Sequence, residues 1–177
     1  MFGDSLSAGY GIAVEQSWPS LLVQRLTGAN LNYAVANASI SGETTAGGRS
    51  RLPAALKRFN PDVVVLALGA NDGLRGLPVA QMRDNLVAMI GAVKARRARV
   101  LLIGMRLPPN YGADYDRQFE QSFSQVAKQE RVALLPFLLA PIAADANAFQ
   151  ADGVHPNAAA QPKILDHIWP ALKAMLK

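Results

Sequence analysis

Along the chain, unbroken aliphatic runs alternate with longer stretches whose apolar residues recur every three or four positions. Residues 63–68 (Val-Val-Val-Leu-Ala-Leu) form the clearest run, with β-branched side chains and no polar partner positions, as a strand buried on both faces requires. Residues 100–105 and 132–135 repeat that character, and residues 31–36 read as a further strand. Helices are predicted over residues 18–26, 45–59, 79–98, 115–129 and 158–176. Ser17 and Asp114 stand as caps or early-turn signals, with Pro19 inside the first turn. Strands separated by helices imply right-handed crossovers and a parallel sheet covered on both sides. The expected architecture is therefore a single α/β domain, a three-layer α/β/α sandwich. Met1 and Phe2 leave almost no residues for a strand before Gly3, so an upstream stretch preceding Met1 is expected.

Composition narrows the function classes. Half of the 177 residues are apolar and 18% are charged, ordinary usage for a chain able to bury roughly 70% of its unfolded surface, so folding should need neither metal nor partner. There is no cysteine, which removes disulfides and thiolate metal sites; no metal and no cofactor are expected. The net charge of +5 favours anionic partners, yet the basic residues are scattered. The densest group, Lys94, Arg96, Arg97 and Arg99, closes a predicted helix, where cations complement the dipole. Nucleic-acid binding is not expected. No apolar run approaches a membrane span and no basic-then-apolar signal segment is visible, so stable membrane insertion is not expected either.

In parallel α/β sheets ligands gather beyond the carboxyl ends of the strands, so chemistry belongs in the loops that follow them. The first such loop, Gly3-Asp4-Ser5-Leu6-Ser7-Ala8-Gly9, places a hydroxyl where a strand turns into a helix. The second carries Ser41-Gly42-Glu43-Thr44, with a candidate free backbone N–H. The third, Gly69-Ala70-Asn71-Asp72-Gly73, offers the Asn71 amide. The last, Asp152-Gly153-Val154-His155-Pro156, holds an acid and an imidazole within one turn. A serine hydroxyl becomes a useful nucleophile only when a base takes its proton, and that base must be held in the right tautomer. Ser5, His155 and Asp152 supply these three roles. The other histidine, His167, lies among Ile164, Leu165, Ile168 and Trp169 and reads as a packing residue. Asp4 and Asp72 read as structural, bonding loop amides.

These four segments, in this order over nearly the whole chain, resemble the conserved blocks of the GDSL, or SGNH, hydrolase family: Ser5 in the first, Gly42 in the second, Asn71 in the third, His155 in the last. Together with residues 37–44, 69–76, 106–112 and 152–157, they are most similar to the bacterial thioesterase I, lysophospholipase L1 and arylesterase group. That resemblance implies a flavodoxin-like parallel sheet of about five strands, broad action on acyl thioesters, aryl esters and lysophospholipids, and a periplasmic or secreted location. It also implies an oxyanion hole made by the Ser5 and Gly42 amides with the Asn71 side chain. The chain departs from the pattern in its short first strand. A monomer acting on a small acyl ester or thioester is expected, with Leu74, Leu77, Pro78, Leu107, Pro108 and Tyr111 as walls for the acyl chain, and with Gly73 and Gly76 allowing the third loop to move. Because free imidazole titrates near about 6.5, activity is expected to decline in mild acid.

Rival readings fit less well. Gly42 to Gly47 has the outer spacing of a phosphate-binding loop, but Gly48 and Arg49 replace the lysine and hydroxyl residue. Gly9-Tyr10-Gly11 opens a dinucleotide pattern that Val14 breaks, which weighs against a non-catalytic nucleotide-binding module. In the α/β-hydrolase pattern Gly-x-Ser-x-Gly, Ser7 occupies the last glycine. The nearest enzymatic alternative is a carbohydrate O-acetyl esterase on the same scaffold.

Overall fold

The computed structural model describes residues 1–108 and 110–176; Pro109, within the 106–112 block, lies outside the described residues. Four parallel strands pair in chain order: β1 (Phe2–Gly3), β2 (Val63–Ala67), β3 (Arg99–Ile103) and β4 (Ala133–Leu135). Side chains on a strand alternate between faces, and here both faces are buried. Val64 and Leu66 of β2 with Val100 and Leu102 of β3 enter one core, while Val65, Leu101 and Ile103 enter the other. The uninterrupted aliphatic runs follow from that double burial.

Helices α3 (Thr45–Phe59), α5 (Val79–Lys94) and α6 (Ala113–Glu130) cover the first face. They do so with Leu52, Leu56, Leu86, Ile90, Phe119 and Phe123, spaced at helical intervals. Helices α2 (Trp18–Gly28) and α7 (Gln161–Lys173) cover the second through Trp18, Leu22, Ile164 and Ile168. Trp18 is fully buried; its indole N–H donates to Leu6 O at 3.1 Å, and its backbone N–H donates to Gln161 Oε1 at 3.0 Å, tying the two helices to the first loop. Two short helices, α1 (Ser5–Ala8) and α4 (Ala70–Leu74), follow β1 and β2 directly.

Several boundaries differ from expectation. Residues 31–36 form no regular strand, so four strands are found where about five were expected. The pairing falls instead on residues 36–40, where the Met1 amino group donates to Ala36 O (2.6 Å), Ala38 N–H to Met1 O (2.9 Å) and Ile40 N–H to Gly3 O (3.0 Å), so the register against β1 lies later than the apolar pattern suggests. Ser17 occupies the cap position of α2, but its hydroxyl donates back to Val14 O at 2.6 Å and caps nothing. Helix α5 stops at Lys94, whose ammonium reaches Glu130 O at 2.9 Å. Helix α6 begins at Ala113, leaving Asp114 in its first turn, and the last helix opens with a 3-10 turn over Ala158–Ala160. No helix among the described residues is long and apolar enough to cross a membrane.

Candidate active site

All of the polar candidates lie in loops beyond the carboxyl ends of β1 and β2 and in the turn before α7. Ser5 opens α1, a turn capped by Asp4, whose Oδ1 accepts from Leu6 N–H at 3.0 Å. Gly9 ends the turn at φ +78°, a conformation open to glycine without steric cost. At the other end of the sequence, Asp152 Oδ1 accepts from both Val154 N–H and His155 N–H at 2.9 Å, closing a tight turn around Gly153. That turn presents the imidazole. His155 Nδ1 lies 2.7 Å from Asp152 Oδ2, and His155 Nε2 lies 2.8 Å from Ser5 Oγ.

The tautomer follows from this geometry. The two backbone N–H groups and the imidazole hold the Asp152 carboxyl down to about 2, so it is ionised at neutral pH and can only accept. His155 Nδ1 must then carry the proton, and Nε2 of the neutral ring is left with the lone pair that faces the serine hydroxyl. Such an arrangement can take a proton from Ser5 as its oxygen attacks a carbonyl.

A residue with no motif behind it ties the two loops together. Gln150 Nε2 donates to Tyr10 O at 2.8 Å and to Pro156 O at 3.1 Å, bridging the first loop to the last across 140 positions of sequence. Tyr10 also lays its ring against His155, centroids 4.5 Å apart, shielding one face of the imidazole. His167, by contrast, sits 3.0 Å from Phe137 O through Nε2, half-buried and separate from this constellation.

Three candidate oxyanion donors belong to the first, second and third loops, which follow neighbouring segments of the sheet: β1 pairs with β2, and Ile40 N–H bonds Gly3 O. The Ser5 N–H opens a helical turn and has no acceptor among the described residues. Gly42 occupies the third position of a turn closed by Glu43 N–H to Ile40 O (3.2 Å); its φ of +77° suits glycine there, and its own N–H is likewise unused among the described residues. Asn71 Nδ2 donates to Glu43 O at 3.0 Å, which orients the amide with nitrogen toward the second loop and leaves a further N–H. Backbone and side-chain donors so placed can stabilise an oxyanion.

Both flanking aspartates act structurally. Asp72, 3% exposed, accepts from Thr45 N–H at 2.8 Å and from the Thr45 hydroxyl, and Asn85 Nδ2 bonds that hydroxyl at 3.1 Å. Asp4 is 2% exposed and has no cationic partner among the described residues, so burial pushes its carboxyl up to about 6 against the opposing pull of Leu6 N–H and the His155 charge. A carboxyl raised in the folded state makes stability fall as pH rises from about 4 through about 6. Asp4→Asn, which keeps an acceptor for Leu6 N–H, is therefore expected to gain on the order of 1–3 kcal/mol relative to the parent between pH 4 and pH 7, measured by urea unfolding at each pH. A difference that stays constant across that range would remove Asp4 as the cause.

The expected apolar walls are placed unevenly. Leu74, Leu77 and Tyr111 are half-buried, with the Tyr111 hydroxyl donating to Leu74 O at 3.1 Å, while Pro78 and Pro108 are exposed. Leu107 packs against the first core, where it meets Gly73; a Cβ on Gly73 would lie 2.6 Å from the Phe119 ring and 2.7 Å from Leu107. Gly73 is thus a close-packing position rather than a point of movement. Gly76, at φ +63° with open space around it, keeps its conformational freedom. A separate cavity of about 890 Å³ opens at the amino ends of the strands, beside Val63, Tyr33 and Leu172 and away from Ser5.

Comparison with known proteins places the chain in a family. Residues 1–161 match the GDSL-like lipase/acylhydrolase family. The chain is 48% identical over 174 residues to the esterase TesA of Pseudomonas aeruginosa, covering 98% of this chain and 87% of that one. It is 43% identical to thioesterase 1/protease 1/lysophospholipase L1 of Escherichia coli, over 94% of this chain and 78% of that one. A crystal structure of the psychrotrophic esterase EstA from Pseudoalteromonas sp., inhibited by monoethylphosphonate, superimposes with a TM-score of 0.94 at 40% identity, over 98% of this chain and 94% of that one. With the blocks in order, the fold in common and these relatives alongside, the chain belongs to the GDSL-like lipase/acylhydrolase family.

Proposed function

We propose that this chain is a serine esterase and thioesterase that hydrolyses acyl esters and thioesters, including aryl esters, acyl-CoA and lysophospholipid-type substrates, through an acyl-Ser5 intermediate. The observation that carries this reading is the continuous path from Ser5 Oγ through His155 to Asp152, at 2.8 and 2.7 Å. Ser5 Oγ attacks the acyl carbonyl while its proton passes to His155 Nε2. The C–O or C–S bond then breaks and that proton leaves with the alcohol or thiol. Water attacks the acyl-enzyme, again giving its proton to His155, and the acid departs as Ser5 regains its hydrogen. Asp152 holds the imidazole and offsets the charge it gains; Ser5 N–H, Gly42 N–H and Asn71 bind the oxyanion. No cofactor enters these steps. The enzyme acts as a monomer and is periplasmic or secreted, the location that the family resemblance of its sequence blocks implies.

Covalent labelling by a fluorophosphonate tests the nucleophile, since it requires both an activated hydroxyl and an oxyanion site. Label on Ser5, absent from Ser5→Ala, is the expected result; label elsewhere or none at all defeats the reading. Rates on acyl-CoA thioesters, aryl esters, lysophospholipids and acetylated sugars, with Ser5→Ala as the blank, assign the substrate class. Leu74, on the same helical turn as Asn71, with Leu77 and Tyr111 half-buried beside that turn, favours a lengthy acyl group over acetyl. Replacing the half-buried Leu74 with glutamate is expected to lower kcat/KM about tenfold more for dodecanoyl than for acetyl esters, a difference of about 1.4 kcal/mol. Equal losses at every chain length would remove Leu74 from the acyl site. Leu107 is a poorer probe, because charge there disturbs the core it packs against.

A further inference from the structure

We propose that Arg75 is a positioning residue for the oxyanion hole, acting through the backbone of Gly42. Its guanidinium Nη2 donates to Gly42 O at 2.9 Å, across 33 positions of sequence. Arg75 is exposed and forms no ion pair with a carboxylate among the described residues, so its charge-assisted bond goes to a peptide carbonyl. That carbonyl belongs to a residue at φ +77° without a Cβ, whose own side chain offers nothing to hold it in place.

The neighbouring bonds give the contact its meaning. Arg75 N–H donates to Asn71 O at 3.2 Å, so the arginine rides on the same helical turn as the Asn71 amide. From that turn, Arg75 grips Gly42 O, Asn71 grips Glu43 O, and Asp72 grips Thr45 N–H. Three side chains within five residues thus bind three peptide groups within four residues of the second loop. They set the separation between the two donors that face a single developing oxygen, Gly42 N–H and the remaining Asn71 N–H. Of the three, only Arg75 fixes Gly42 itself. An oxyanion donor displaced by a fraction of an ångström loses much of its effect, since the benefit depends on donors already in place when charge forms.

This inference rests on Ser5 as the nucleophile, and the test separates the two. Arg75→Met removes the donors and keeps most of the aliphatic stem. It is expected to lower kcat about five- to twentyfold on a neutral aryl acetate, with KM within about twofold. The rate of fluorophosphonate inactivation should fall by the same factor, while the melting temperature moves by no more than about 3 °C. Arg75→Lys, which keeps the charge and can still reach the carbonyl, is expected to recover part of the lost kcat. A wild-type kcat in Arg75→Met overturns the proposal. So does a loss confined to KM for anionic substrates such as acyl-CoA with the neutral ester unaffected, because Arg75 would then be gripping substrate. If the parent chain itself takes no label on Ser5, the nucleophile assignment fails first, whatever the variant does.

Discussion

Replacing His155 by alanine is expected to lower kcat by about 10⁴- to 10⁶-fold, leaving only the rate that binding and the oxyanion donors sustain. The reason is local. Ser5 Oγ has one acceptor for its proton among the described residues, His155 Nε2 at 2.8 Å, whereas the neighbouring Asp4 carboxyl bonds Leu6 N–H and not the hydroxyl. Without the imidazole, attack on the carbonyl must generate an alkoxide at neutral pH or give its proton to water. Asp152→Ala should cost less, since the Asp152 side chain is 41% exposed and water can occupy part of the space it leaves. Steady-state rates on one aryl ester for both variants check the ordering. A His155→Ala enzyme retaining more than about a hundredth of parental kcat would exclude the imidazole as base.

The second large effect concerns Asn71. Changing it to alanine is expected to reduce kcat on the order of a hundred- to a thousandfold, or about 2.7–4 kcal/mol, with KM little changed, because an oxyanion donor acts mainly in the transition state. Asn71 also bonds Glu43 O at 3.0 Å, so alanine removes a loop contact as well as a donor. Asn71→Asp separates the two effects: it preserves size but cannot donate when ionised, and should be at least as damaging. Should Asn71→Ala lose KM alone, or nothing, the side chain has no part in stabilising the oxyanion.

Much of this site was legible because its chemistry is written in short segments. Asp152, Gly153 and His155 form a turn whose bonds are local, and Asp4 caps the turn that Ser5 opens; both can be read from residue type and spacing. The buried runs of β2 and β3 and the apolar faces of α5 and α6 were equally readable, since double burial and helical period leave a pattern in one dimension. The strand expected over residues 31–36 failed for a reason that pattern does not carry: its ladder depends on what β1 presents, and β1 bonds residues 36–40 instead. Gly73 shows the same limit. A glycine in a loop motif suggests movement, whereas the Phe119 ring and Leu107 make it a packing requirement.

The sequence by itself determined which residue types stand ready for acyl transfer, the order of β2, β3 and β4 and of the long helices around them, and the two-sided burial of the sheet, because each depends on neighbours within a turn or a few alternating positions. Only the tertiary structure decided that the hydroxyl and the imidazole, 150 positions apart, come within 2.8 Å, that Gln150 pins their loops together, and that Asn71, Asp72 and Arg75 clasp the loop around Gly42. Those contacts join segments with no shared period. Their geometry is set by how the helices pack on the two faces of the sheet, and no local spacing records it.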